Sequence, residues 1–149
     1  MEFARKKALV FGGTSGIGLA TAMQLRDLGA EVVAISRDPS KAGDVSGVRF
    51  MSCDVRDVDG LAKLFRAEAP FDVLISAATG GDRAIGPFLK MDLEAYRASF
   101  DKLWGYANVV RLGAEYLSAS GNIVLVSGAP ARRAKPGQAA LASVGGAVE

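Results

Sequence analysis

An α/β domain with a doubly wound, mostly parallel sheet is the fold class this sequence predicts, and three observations carry the reading. Short apolar runs of strand length alternate five times with longer periodic stretches, the pattern of βαβ units. The strand-length runs are apolar on both faces, as strands covered by helices on two sides must be. A glycine loop, Gly12-Gly13-Thr14-Ser15-Gly16-Ile17-Gly18, stands directly between the first strand and the first helix. Right-handed crossovers then put helices on both faces of the sheet.

Ala8 to Phe11 is the first strand, a short buried run that ends in glycines. Ile17 to Leu28 reads as a helix, with Gly29 at its C′ position. Glu31 to Ser36 is a second strand, rich in Val and Ile, and Asp38-Pro39-Ser40 breaks the chain into a polar loop that runs to Gly47. Val48 to Cys53 forms the third strand. Asp57 caps a helix from Val58 to Ala69, Pro70 ends it, and Asp72 to Ser76 is the fourth strand. Beyond a Gly-rich loop, Asp92 opens a long helix to about Ser118, with an apolar stripe of Tyr96, Phe100, Leu103, Ala107, Val110, Ala114 and Leu117 at steps of three and four. Asn122 to Ser127 is the fifth strand, and the tail from Gly137 starts a further helix. No repeat or interdomain linker interrupts the chain, so 1–149 is read as a single domain with strand order 3-2-1-4-5.

Composition excludes several classes of function. Half of the residues are apolar and 23% are charged, an ordinary globular balance for a chain long enough to bury one core. Scattered Lys and Arg and a net charge of +2 give no nucleic-acid stripe. No apolar run approaches the ~20 residues needed to cross a bilayer, so no membrane partner is expected. The basic start, Met1 to Lys7, reads as the lead-in to a strand because Gly12 and Gly13 break the apolar stretch that a signal peptide needs. Cys53 is the sole cysteine, which suits a reducing cytoplasm. The chain has no histidine, so Ser-His-Asp and Cys-His catalysis and the commonest transition-metal ligand are excluded, and no metal site is expected.

The glycine loop carries the chemistry. Glycine permits positive φ in the turn and lets backbone approach a pyrophosphate with no Cβ in the way. The helix N-terminus behind it offers unpaired N–H groups and partial positive charge. A Cβ at Gly12 or Gly18 is therefore expected to block the pyrophosphate while leaving the fold intact. The spacing is GxxxGxG, and no Gly-Lys-Ser/Thr of a P-loop follows. The alternative reading is a tight strand-to-helix turn with no ligand. The second strand runs into Arg37, where an NAD site would place Asp or Glu on the ribose hydroxyls. A guanidinium there can grip a 2′-phosphate in a fork, assisted by Thr14, Ser15 and Lys41, which favours NADP(H) over NAD(H). On the other reading Arg37 is a solvated loop residue.

In these features the sequence resembles a short-chain dehydrogenase/reductase along its whole length. Gly12, Gly16 and Gly18 match that family's glycine motif, with Phe11 where Thr is usual. Cys53-Asp54-Val55 matches the acidic residue after the third strand that holds the adenine. Ser76-Ala77-Ala78-Thr79 stands in place of Asn-Asn-Ala-Gly, and Val126-Ser127-Gly128 matches the turn after the fifth strand. The resemblance implies a Rossmann-like oxidoreductase that binds its dinucleotide through Gly12, Thr14, Ser15, Gly16, Ile17, Gly18, Arg37, Asp54, Val55, Ala77 and Ala78.

Its catalytic residues do not carry over. Lys102 stands where the family has Asn, Gly128 where it has Ser, Leu141 where it has Tyr and Gly145 where it has Lys. Asp101-Lys102-Leu103-Trp104-Gly105 resembles a divergent branch in which Lys occupies the Asn position. The candidates for chemistry are Lys102, Tyr106 one turn along the same helix face, and Ser127, with Arg132-Arg133 as a further cationic pair. The alternative is that Lys102 and Tyr106 are half-exposed helix residues. Two functions stay open: an NADP(H)-dependent oxidoreductase acting on an unidentified small molecule, and a catalytically silent module that senses NADP(H) or serves a partner protein. The chain ends inside the helix expected near Gln138, ahead of the part that covers nicotinamide and substrate in the family. Apolar surface around Phe100, Trp104 and Val110 is then expected to drive homo-oligomer formation.

Overall fold

The computed structural model describes residues 2–133 and 135–149. Among them, five strands form one sheet in the order β3-β2-β1-β4-β5: β1 Lys7–Phe11, β2 Glu31–Ser36, β3 Val48–Ser52, β4 Phe71–Ser76 and β5 Leu117–Leu125. All four neighbouring pairs are parallel. Fold class and strand order agree with the sequence reading. The helices are α1 Gly16–Asp27, α2 Val58–Glu68, α3 Leu93–Ala98, α4 Asp101–Gly113 and α5 Ala139–Val148.

Strand alternation sorts β1 onto two cores. Ala8 and Val10 pack with Ala22 and Leu25 of α1, while Leu9 and Phe11 pack with Leu61, Leu64 and Phe65 of α2 and Val109 of α4. Each fully buried Leu or Phe side chain in these layers stabilises the fold by roughly 1.5–3 kcal/mol. The rings of Phe11, Phe65 and Phe71 form a tilted chain with centroids 5.6 and 5.8 Å apart. At the N-terminal ends of the strands, Glu68 is buried and accepts from Arg49 at 2.8 Å, with the Lys7 ammonium also 2.8 Å away. Hydrogen bonds from Arg49, before those from Lys7, hold the Glu68 carboxyl down at about 2. Asp57 caps α2 as expected, accepting from Gly60 N at 2.9 Å.

The long helix read from Asp92 to about Ser118 is two helices followed by a strand. Ser99 divides it: its hydroxyl donates back to Ala95 O at 2.9 Å and accepts from Ala84 N at 2.8 Å. Side-chain bonds of this kind compete with the helical ladder. Farther on, Gly113 lies so close to the sheet that a Cβ would come within 2.8 Å of Leu74 and 2.9 Å of Phe65. One short turn later, Leu117 pairs with Phe71 and the Ser118 hydroxyl donates to Asp72 at 2.8 Å. The fifth strand thus starts five residues before the expected Asn122 and ends at Leu125 rather than Ser127. Pairing to β4 outweighs the helical period of this segment.

The buried face of α4 also differs from the expected stripe. Gly105, Tyr106, Val109 and Gly113 are buried, whereas Ala107 and Ala114 are exposed and Leu103 and Val110 half-buried. The apolar 3–4 period is real, but it runs along the side of α4 away from this sheet.

Candidate functional site

The strand order reverses between β1 and β4, and a cleft of about 880 Å³ opens at the C-terminal ends of the strands there. Beneath it the backbone pairing continues past the strands: Gly12 N donates to Ile35 O at 2.8 Å and Ala77 N to Phe11 O at 2.9 Å. Val126 N likewise donates to Ser76 O at 3.0 Å. These bonds fix the turns that line the opening.

The glycine turn forms one wall. Gly12 has φ +76° and Gly16 φ +51°, both in the left-handed region. A Cβ on Gly12 would lie 2.7 Å from Ala78 N, and one on Gly18 would collide with the carbonyl of Gly12, 2.7 Å from its carbon. At Gly16 a Cβ meets nothing within 4 Å. The expectation that substitution at Gly12 or Gly18 spares the fold is therefore corrected: those two glycines let the turn pack on its own chain. Gly16 is the glycine that keeps open space. Ser15 caps α1 without a side-chain hydrogen bond, and no acidic residue occupies the first turn. That helix N-terminus keeps its partial positive charge for an anion. Thr14 is buried, Ile17 is 64% exposed, and both line the cleft with Ser15, Gly16 and Gly18.

Arg37 and Lys41 line the far rim, beyond the end of β2. The Arg37 carbonyl accepts from Ser52 Oγ at 3.1 Å, and its guanidinium has no ion pair among the described residues. Beside it, Ser36 lines the cleft with a buried Oγ that has no hydrogen-bond partner among the described residues. A buried hydroxyl of this kind at a cleft wall suits a polar ligand atom. Asp54 and Val55 come from the turn after β3, Ala77 and Ala78 from the turn after β4, and all four reach the same cleft. Asp54 is also engaged within the chain. Its carboxylate accepts from Arg56 N at 2.9 Å and from the Arg56 guanidinium at 2.8 Å, which holds the carboxyl below the usual range.

The same Arg56 reaches Asp101 at 3.3 Å, tying the first turn of α4 to the cleft. Gly105 lets α4 lie against Val55, and Asn108 Nδ2 donates to Val55 O at 3.0 Å. That placement brings Lys102 to the cleft wall, half-buried, with Nζ 5.3 Å from the centre of the Tyr106 ring. Desolvation, and then the nearby Arg83 guanidinium, push the Lys102 ammonium toward its neutral form.

Tyr106 does not line the cleft. Its hydroxyl donates to Val126 O at 2.8 Å, and burial pushes its pKa up to about 12. The phenol is engaged with the backbone just past β5, and its contact with the Lys102 ammonium is a cation–π one. Ser127 lines the cleft, with its hydroxyl 3.3 Å from Gly145 O. Leu141, Val144 and Gly145 of α5 complete this end. Sequence reading missed Ser36 and Arg83. Ser36 ends β2 and Arg83 lies in the loop after β4, and the relevance of each comes from neighbours distant in the chain.

A cleft at the switch point of a parallel sheet, floored by a glycine turn and an uncapped helix start, defines the doubly wound class of dinucleotide-cofactor folds. The chain belongs to the short chain dehydrogenase family, whose model matches residues 6–149. It is similar to L-xylulose reductase of Mesocricetus auratus, 30% identical over an alignment of 157 residues that takes in all of this chain and 64% of the relative. A short-chain type dehydrogenase/reductase from Mycobacterium ulcerans superposes with a TM-score of 0.88 at 25% identity, over 99% of this chain and 60% of that one. A small-chain dehydrogenase solved in complex with NADPH superposes with a TM-score of 0.75 at 25% identity, over 96% of this chain and 60% of the other. The chain thus spans a little under two thirds of the length of these relatives.

Proposed function

We propose that this chain binds NADP(H) in the switch-point cleft and forms the cofactor-binding part of an oxidoreductase acting on a small carbonyl or alcohol substrate. The convergence of eleven residues from four separate turns on one cleft carries the reading: Gly12, Thr14, Ser15, Gly16, Ile17, Gly18, Arg37, Asp54, Val55, Ala77 and Ala78. The open cradle at Gly16, the uncapped start of α1 and the unpartnered Ser36 hydroxyl fit a dinucleotide. Arg37 and Lys41 on one rim favour a 2′-phosphate, and the structural neighbour that holds NADPH agrees with that choice.

The cofactor, when bound, supplies the hydride. The chain's part is to orient it, to exclude water with Leu141 and Val144, and to furnish a cationic group at the reacting oxygen. Lys102 is the residue proposed for the last task, because its ammonium is half-buried, depressed in pKa and free of ion pairs among the described residues. Ser127 is a secondary candidate to polarise that oxygen.

A second reading, a silent NADP(H)-sensing or partner-serving module, draws support from Leu141 and Gly145. They line the cleft at the positions where the family carries its Tyr and Lys. Titration with NADPH and NADH, followed by a turnover screen on carbonyl compounds, tests both readings. Tight NADPH binding with measurable turnover supports the enzyme, binding without turnover supports the module, and no binding sinks both.

The reading includes a cytoplasmic setting, supported by the unpaired Cys53. It also includes a homo-oligomer, supported by the apolar side of α4, where Trp104 is 66% exposed. Among the described residues no helix is long and apolar enough to cross a membrane. A monodisperse monomer in light scattering at micromolar concentration would count against the oligomer.

A further inference from the structure

One wall of the cleft holds two neighbouring cations, and among the described residues neither has a carboxylate partner. Arg83 and Lys102 line it, and neither forms an ion pair among the described residues. They are brought to one wall by two clamps between the loop after β4 and the junction of α3 with α4. Ala84 N donates to the buried Ser99 hydroxyl at 2.8 Å, and Gly80 lies so close to the first turn of α4 that a Cβ would fall 2.6 Å from Asp101 O. Of the carboxylates near them, Asp54 and Asp101 both pair with Arg56, and Asp82, exposed beside Arg83, forms no ion pair with either cation among the described residues. Asp38, the other acidic residue of the lining, sits at the opposite rim and accepts from Ser40 N.

Two like charges held on one wall repel, and Lys102 also stands in the first turn of a 13-residue helix, where the dipole disfavours a cation. The oxidised nicotinamide would bring a third positive charge. The pyrophosphate would not relieve this, because the residues proposed to hold it are those of the glycine turn and the start of α1. An anion from another molecule does.

Resting on the NADP(H) reading above, we propose that the substrate is a small carbonyl compound bearing an oxoanion, a carboxylate or a phosphate, held by Arg83 together with Lys102, whose ammonium also meets the carbonyl oxygen. Leu141 and Val144 line the same cleft and would accommodate a short apolar chain. The inferred substrate is thus a charged compound.

The test uses matched probes on the chain saturated with NADP+: acetoacetate against acetone, and dihydroxyacetone phosphate against dihydroxyacetone, with affinity read by calorimetry. At least one charged member binds roughly tenfold or more tightly than its neutral counterpart, and the pair that discriminates says whether carboxylate or phosphate is preferred. Arg83→Gln, at an exposed position that should tolerate it, and Lys102→Met each remove roughly tenfold of that preference, whereas Lys102→Arg retains most of it. NADPH affinity stays within about twofold in all three variants. Equal binding of charged and neutral probes, no binding of any probe, or a preference that survives both charge removals overturns the inference. A tenfold loss of NADPH affinity in the variants also overturns it, by assigning the cations to the cofactor. Wild-type protein that fails to bind NADPH at all refutes the underlying reading instead.

Discussion

Replacing single glycines of the 12–18 turn by alanine separates the glycines that build the loop from the one that leaves room for a ligand. At Gly18 the added Cβ would overlap the Gly12 carbonyl and stand 2.7 Å from its carbon and 3.2 Å from Gly13 Cα. Carbon atoms pack at about 3.5–4.0 Å, so the Cβ is short by roughly 1 Å against backbone that the Gly12 N–Ile35 O bond holds in place. Overpacking of this kind costs about 3 kcal/mol, near the top of its range, because no flexible side chain can yield. For a chain of this size that lowers Tm by about 10 °C. At Gly16 there is nothing within 4 Å, and the cost is confined to placing alanine at φ +51°, about 1 kcal/mol. Its methyl group, however, enters the space proposed for the pyrophosphate. Gly16→Ala should therefore unfold within about 4 °C of wild type yet bind NADPH at least roughly tenfold more weakly. Thermal denaturation without cofactor, paired with NADPH fluorescence titration, reads both quantities. A Gly18→Ala variant as stable as wild type would refute the packing argument. Wild-type NADPH affinity in Gly16→Ala would refute the placement of the pyrophosphate.

Further consequences involve residues outside that turn. Arg37→Asp should reverse or abolish a preference for NADPH over NADH, losing roughly 1.5–3 kcal/mol of charge-assisted contact, and equal wild-type affinities for the two cofactors would show that Arg37 does not select. Glu68, held at about 2 against an ordinary 4.5, contributes about 3 kcal/mol that is complete above pH 4.5 and disappears as pH falls from there toward 2. Glu68→Gln should lower stability at pH 7 and flatten denaturant midpoints across that window, whereas an unchanged acid limb would contradict the assignment. Tyr106→Phe removes the bond to Val126 O and should cost about 1 kcal/mol without changing any turnover, while Lys102→Met should eliminate turnover and spare NADPH affinity. Loss of turnover in Tyr106→Phe would return the phenol to the chemistry.

The sequence by itself determined the sheet, its order and the glycine turn. Val-rich runs such as Glu31–Ser36 can be satisfied in few ways other than as buried parallel strands, and the loop between Phe11 and α1 has the residues that its close approaches demand. Asp57 announced the start of α2 because a cap is a local bond. Local pattern failed from Ser99 to Leu117, where the outcome depends on partners far along the chain. Ser99 answers to Ala84, Gly113 to Leu74 and Phe65, and Leu117 to Phe71. The direction of Tyr106 was likewise hidden, since a helical period gives spacing but not which face meets the sheet. Its hydroxyl ends on Val126, twenty residues away. Tertiary structure alone gathered Arg83 and Lys102 on one wall and paired the surrounding carboxylates with Arg56. Electrostatic balance at a site is a sum over atoms that are near in space, and nothing in the order of residues along the chain records that sum.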